Sequence, residues 1–430
     1  MSNVYLDHAA TTPLDPRVLE AMLPYLKENF GNPSSFHSVG KEVKDALDDA
    51  RTRMATILHV RADELVFTSG GTESDNLAVL GFCRANRPST ALRSAQEVRE
   101  HTPAQEVRGH IIVSAFEHHA VLEAAMHLEK KEGFEVTYLS PDHDGLISVD
   151  QVMSAIRPDT LLVSIMYANN EIGTIQPIAE IGNAIQKYRA DATKVAVNSG
   201  FKATSVASGP IFHSDACQAT GFLDVDVEKL HVDMMTFNGS KMYGPKGVGA
   251  LYVRRGLKLQ PLQFGGTQEK SLRPGTENVA GIIGMAKALE LVQADREQES
   301  QRLTVLRDTL IAGIRERIPK VRLNGHTTRR LPNNVNISFM DIEGEAFILY
   351  LDAAGIYAST GSACTSTTLD PSHVILSLGL PYEVAHGSVR FSLGHSTTMK
   401  DIEYVLETIP PLVAKLRALS PVRVDPKYYE

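Results

Sequence analysis

Between residues 60 and 255 the chain alternates short apolar runs with amphipathic stretches. The runs Glu64 to Thr68, His110 to Ser114, Phe134 to Leu139, Leu161 to Met166, Ile211 to His213, Met234 to Phe237 and Gly249 to Val253 predict strands. Helical patterns such as His119 to Lys131 and Pro177 to Tyr188 lie between several of them. This rhythm predicts an α/β fold in which a mostly parallel sheet is covered by helices on both faces, with ligands at the carboxyl ends of the strands. Past residue 262 the pattern changes to a long charged helix (Val279 to Ile318), a strand (Asn333 to Phe339), a helix (Glu343 to Ala354), a strand (Ser388 to Leu393) and a last helix (Met399 to Leu416). That order predicts a second, smaller α+β C-terminal domain, and an active site in the cleft between the two. Two polar segments, Arg87 to Arg108 and Asp191 to Pro210, interrupt the rhythm and read as solvated surface loops.

Length and composition narrow the field. At 430 residues the chain exceeds the size at which one core stops growing, so more than one domain is expected. No run approaches the roughly 18 apolar residues of a membrane span. The first residues, Met-Ser-Asn-Val-Tyr-Leu-Asp, lack the basic and apolar regions of a secretory signal, so a cytoplasmic location is expected. Cys83, Cys217 and Cys364 are an odd number without ligand spacing, which argues against a disulfide framework and a zinc site. A net charge of -8 with no Lys/Arg run longer than a pair gives no footprint for nucleic acid or an anionic membrane, so the direct ligand is expected to be small.

Several residues could carry chemistry. Cys364 sits in Gly-Ser-Ala-Cys-Thr-Ser (Gly361 to Ser366), among small and hydroxyl residues rather than apolar ones; it reads as a nucleophile, although free cysteine is also a common packed residue. Lys241 lies among Gly239, Gly244 and Gly247, a setting for close approach to a ligand, whereas a lone lysine is usually a surface residue. The Ser69-Gly70-Gly71-Thr72-Glu73 turn follows a strand and opens a helix, where backbone N–H groups and the Thr72 hydroxyl can hold a phosphate; such turns also arise for backbone reasons alone. Asp215 and Gln218 follow a strand and could serve a protonated ring nitrogen and a ring oxygen, or simply cap a helix. His118 could stack on a flat cofactor or move protons, and otherwise begins a helix. Arg390, inside an apolar strand, needs an anion: a substrate carboxylate or an internal salt bridge.

Taken together, Tyr5-Leu6-Asp7-His8-Ala9-Ala10-Thr11-Thr12-Pro13, Phe30-Gly31-Asn32-Pro33, Thr68 to Asn76, Ala168-Asn169-Asn170-Glu171-Ile172-Gly173 and Arg273-Pro274-Gly275-Thr276-Glu277-Asn278 occur in the order seen in NifS/IscS-like cysteine desulfurases, and the chain resembles that group to about Leu416. The resemblance implies a fold type I pyridoxal 5'-phosphate enzyme of the class V aminotransferase family, with residues 15–262 as the large cofactor domain and residues 1–14 with 263–430 as the small domain carrying the cysteine loop. It implies that Lys241 binds the cofactor covalently, His118 stacks on its ring as acid and base, Asp215 partners the ring nitrogen, and Gln218 and Asn169 contact the ring oxygen. Gly71, Thr72, Asn238, Ser240 and Thr276 fall in the phosphate-binding segments, with Thr276 reaching across a homodimer interface. Arg390, with Asn169, would hold the L-cysteine substrate, and Cys364 would take its sulfur as a persulfide for a sulfur-acceptor or iron-sulfur scaffold protein.

One departure stands out: the family usually carries Ser-x-His before the lysine, where this chain has Asn238-Gly239-Ser240. These side chains still donate hydrogen bonds but supply no positive charge to a phosphate. Three other readings compete. A selenocysteine lyase has a similar pattern, including an insertion near Arg87 to Arg108, but the Cys364 segment favours the desulfurase. In an aminotransferase Cys364 would be incidental, and a non-catalytic scaffold has no need for Lys241, His118, Asp215 and Arg390 together.

Overall fold

A computed structural model describes residues 3–87, 109–198, 209–361 and 371–429. Cys364 and the polar segment 88–108 lie outside the described residues.

After the short strand β1 (Val4–Tyr5), the strands β2 (Leu65–Thr68), β3 (His110–Ser114), β4 (Glu135–Leu139), β5 (Thr160–Ser164), β6 (Ile211–Asp215), β7 (Met234–Asn238) and β8 (Gly249–Val253) form one seven-stranded sheet in the order β2-β8-β7-β6-β5-β3-β4. The strands that the apolar runs mark are present, and the sheet is mostly parallel; β8 alone runs against both its neighbours. Such a sheet must be buried on both faces. Accordingly β2, β3, β5, β6 and β8 are buried along their whole length.

The C-terminal part adds β9 (Val321–Leu323), β10 (Asn334–Phe339), β11 (Ile356–Tyr357) and β12 (Ser388–Ser392). The order β12-β10-β9 makes an antiparallel sheet, and β11 pairs with β1 in parallel. Val4 and Leu6 thereby join the apolar core of the C-terminal elements.

Two expectations are corrected. The helix expected over Val279 to Ile318 is two helices, Val279–Ala294 and Arg296–Arg317, broken at Asp295. The reason is a change of core: Ile282, Ile283, Met285 and Leu289 pack with the large sheet, whereas Leu303, Leu306, Leu310 and Ile314 pack with the C-terminal one. A straight helix could not serve both. The segment Asp191 to Pro210 is not a loop throughout, since the helix that begins at Ile178 continues to Asn198; residues 199–208 lie outside the described residues.

That helix is tied to the sheet through Asp233, just before β7 and nearly fully buried. Its carboxylate accepts from Nη1 and Nη2 of Arg189 and from the Phe212 N–H at 2.7 Å, and lies 3.1 Å from Arg254 Nε. One side chain thus joins β6, β7, the end of β8 and a covering helix. Asp233→Ala would leave Arg189 buried without its counter-charge and is expected to destabilise the protein by about 3–5 kcal/mol. Urea denaturation checks this; a loss below about 1 kcal/mol, the range of a surface pair, would refute it.

Candidate active site

Because the sheet is parallel apart from β8, the loops after β2, β3, β5, β6 and β7 emerge at one edge. They wall a cavity of about 270 Å³ together with Ala9, Ala10, Gly361, His373 and Arg390. Of the residues singled out in the sequence, Gly71, Thr72, His118, Asp215, Gln218, Asn238, Lys241 and Arg390 line it.

The turn after β2 is possible only with glycines. Gly70 has φ 154° and ψ -177°, a region closed to residues with a Cβ. At Gly71 an added Cβ would stand 2.9 Å from Cys217 Sγ. The helix then runs from Gly71 through a wide π turn at Leu77–Gly81 to Ala85, with its first-turn N–H groups at the cavity wall. In this wall stands Asp75, almost fully buried, with its carboxyl pushed well above the usual range by burial and by the neighbouring Asp215. Asp215 ends β6, and its Oδ1 accepts the Cys217 N–H at 2.9 Å.

His118 caps the helix His119–Glu132: its Nδ1 accepts the Ala120 N–H at 3.1 Å. The neutral ring therefore carries its proton on Nε2. Burial lowers its pKa; Asp215 opposes this, while His119, Lys241 and His373 reinforce it.

Lys241 follows β7, and its Nζ donates to the carbonyls of Ala9, at 3.0 Å, and Ala10. The same segment is stitched to the lysine turn by Thr12, whose N–H donates to Ser240 O at 3.0 Å and whose hydroxyl accepts the Tyr243 N–H at 2.8 Å. Tyr243 sits at φ 61°, held by a stack on His395 with centroids 3.6 Å apart. Gln218 Nε2 donates to Ala9 O at 2.9 Å.

Arg390 extends from β12. Its Nη1 donates to Asn170 O at 2.9 Å and Gly361 O at 3.1 Å, and its Nη2 pairs with Asp7 at 2.9 Å. The buried Nε has no partner among the described residues. So the internal salt bridge exists, yet one donor of this cavity-lining guanidinium is left for something else.

Two residues are placed differently from the sequence reading. Asn169 stands behind the wall: its Nδ2 donates to Phe116 O and its Oδ1 accepts the N–H groups of Glu171 and Ile172, shaping the turn. Its neighbour Asn170 is the one that lines the cavity. Ser240 is also off the wall, with its N–H and hydroxyl directed to Asn238 Oδ1 at 3.2 Å each, so in that pair Asn238 faces the cavity. Thr276 is exposed and does not line this cavity.

Sequence reasoning assigned no role to Asp75, His119, Glu171 or His373, all of which line the cavity. Only their neighbours signalled them: Asp75 and Glu171 lie in quoted segments, His119 follows His118, and nothing marked His373. Burial raises the Glu171 pKa, and its carboxylate accepts the Ser372 hydroxyl. An added Cβ at Gly361 would stand 2.6 Å from Glu171 Oε2.

Comparisons over the whole chain give the family. A model of the class-V aminotransferase family matches residues 4–405. Cysteine desulfurase IscS of Methanosarcina thermophila is 49% identical over 426 residues, covering 99% of this chain and 95% of the relative. The protein of that name from Dictyoglomus turgidum is 47% identical over 424 residues, covering 98% and 97%. Among solved structures, a NifS-like protein superposes with a TM-score of 0.81 at 33% identity, covering 96% of this chain and 100% of its own. SspA in complex with cysteine does so with a TM-score of 0.71 at 34% identity, covering 91% and 99%. The chain belongs to the class-V aminotransferase family. Within it, it is a member of the NifS/IscS-like cysteine desulfurase group, as the sequence resemblance implies.

Beside His118 lies a titratable group with no direct contact to the cavity. Glu117 is fully buried; its Oε1 accepts the Ser114 hydroxyl and the Met166 N–H at 2.8 Å, and Oε2 has no partner among the described residues. Burial raises its pKa from 4.5 to about 8, with Ser114 and Met166 opposing and Asp215 adding. The folded state binds this proton more tightly than the unfolded chain. Its stabilising contribution is therefore full below about pH 4.5, declines as the pH rises, and is gone once the pH passes about 8. Glu117→Gln, which cannot ionise, is expected to lose less stability than the unsubstituted protein between pH 6 and pH 9. Urea midpoints at the two pH values decide it; equal declines would show that Glu117 does not titrate in that window.

Proposed function

We propose that the cavity binds pyridoxal phosphate and L-cysteine, and that the protein is a cysteine desulfurase passing the sulfur to an acceptor protein. The observation that carries this reading is the juxtaposition in one cavity of Lys241 and Arg390, whose Nε has no partner among the described residues, with Asp215 and His118 also in the wall.

The residues present fit the cofactor. Lys241 is the amine for covalent attachment, Asp215 the partner for a protonated ring nitrogen, His118 the ring to stack on it and Gln218 the donor to the ring oxygen. Gly71, Thr72 and Asn238 are the phosphate-side residues, and Gly71 leaves space that a Cβ would close against Cys217. When bound, pyridoxal phosphate supplies an electron sink for a bond at the substrate α-carbon.

The chain's own groups do the rest. Arg390 takes the substrate carboxylate through Nε, its guanidinium already oriented by Asp7, Asn170 and Gly361. Lys241, once its amine is free, accepts the α-proton, and the carbonyls of Ala9 and Ala10 hold the ammonium that results. His118 can hold or give a proton at Nε2. Cys364, outside the described residues, comes three positions after cavity-lining Gly361. As a thiolate it bonds to the substrate sulfur while the Cβ–S bond breaks and Cβ takes up a proton; return of the α-proton from Lys241 then leaves alanine and an enzyme persulfide.

A homodimer is part of the proposal. Support comes from Thr276, exposed in its loop, and from Phe36, which is fully exposed at a groove it lines with Thr267–Lys270. The IscS name of the relatives supports an acceptor of the iron-sulfur scaffold type as part of the same proposal.

Lys241→Ala is expected to abolish the pH-sensitive visible absorption of the purified protein; retention of that band would refute the lysine assignment. Cys364→Ala is expected to keep the band and its change on adding L-cysteine, while alanine formation falls by at least about a hundredfold, the scale of a lost nucleophile. Alanine and sulfide released at the unsubstituted rate would end the desulfurase mechanism. Sedimentation is expected to give a dimer; a fully active monomer would exclude the role given to Thr276.

A further inference from the structure

We infer that His119, backed by His373, receives the side-chain thiol of the amino-acid substrate and so sets the preference for a thiol-bearing amino acid; this rests on the reading of the cavity given above. In that reading the carboxylate is taken by Arg390, and the amino group and α-proton face Lys241. The remaining substituent on the α-carbon then faces the polar wall not used by those groups, which includes His119, His373, Glu171 and Asn170.

In its Nδ1-protonated tautomer His119 can accept a hydrogen bond there. Its Nε2 is buried and has no partner among the described residues. With the ring proton on Nδ1, that nitrogen is a bare acceptor. His118 cannot substitute, since its Nδ1 is occupied by the Ala120 N–H and its Nε2 carries the proton. The His373 ring lies against His119, centroids 4.7 Å apart at 49°, and its own Nε2 is 3.0 Å from the Glu117 carbonyl, an acceptor only. That contact fixes the proton of His373 on Nε2 and its orientation against His119.

The charges around the pair agree. Burial and the mutual repulsion of the two rings lower the pKa of His119, with Glu123 and Glu171 opposing; burial lowers that of His373, with the Glu117 carbonyl opposing. A cysteine thiol satisfies Nε2, whereas a methyl side chain leaves it buried and unpaired. The pair therefore discriminates at the far end of the substrate, away from the groups common to all amino acids.

Calorimetric titration of the holoprotein carrying Cys364→Ala, which binds L-cysteine without turning it over, separates recognition from catalysis. His119→Phe in that background is expected to weaken L-cysteine about tenfold, the scale of one lost hydrogen bond, and to leave the affinity for L-alanine unchanged. His119→Gln, whose amide can still accept a hydrogen bond, is expected to keep most of the advantage of cysteine. Should His119→Phe fail to retain cofactor, His373→Phe is expected to show a smaller loss with the same selectivity for cysteine. Equal weakening of both amino acids would reveal a merely structural residue, and undiminished cysteine affinity would equally overturn the inference. Failure of the underlying reading shows itself differently, as no heat of binding from either amino acid in the Cys364→Ala holoprotein that keeps His119.

Discussion

Two cations share one buried cavity, and the arrangement depends on how the segment Asp7–Thr12 keeps both of them partnered. A buried ammonium or guanidinium without a partner is expensive. Asp7 pairs with Arg390, and the Ala9 and Ala10 carbonyls accept from Lys241, so the two charges are satisfied from one short turn of the chain while remaining within reach of a ligand. The stretch is itself fixed at both ends. Ser392 N–H donates to Leu6 O at 2.7 Å beside β12, and Asp15 N–H donates to Tyr243 O at 3.0 Å beyond the lysine. The N-terminal residues thus act as a strap whose backbone carbonyls are working groups of the site, which explains why alanines suffice at positions 9 and 10.

The legibility of the sequence follows the same physics. Strands buried on both faces are continuous apolar runs, so β3 and β8 stand where the runs place them, with β4 and β7 within a residue. β9, three residues long and partly polar, gave no such signal. The break at Asp295 was invisible because apolar and charged stretches on either side both favour helix; only the need to face two different cores separates them. In the site, residues set among glycines or at strand ends were readable. His373 and Glu171 were not, because their importance arises from proximity between β3, the loop after β5 and a helix more than two hundred residues later in the chain.

Asn169 and Asn170 show how fine the remaining ambiguity is. Adjacent identical residues cannot be separated by composition, yet one closes a turn with three hydrogen bonds and the other faces the cavity. The deciding factor is backbone accounting: a tight turn after β5 leaves N–H groups at 171 and 172 that a side-chain oxygen two and three residues earlier can satisfy. The first asparagine is committed by that demand, and the second is released by it.

Glu171 holds a further consequence. Gly361 presses against this carboxylate and Ser372 donates to it, so the two ends of a stretch of the chain meet at one side chain. Because its two attachment points coincide, the length of such a stretch is decoupled from the geometry around it: adding residues changes closure entropy only slowly, by about 0.6 kcal/mol per doubling, and moves neither end. A fold wired in this way tolerates a change of length between these two positions without retuning the cavity that Gly361 lines.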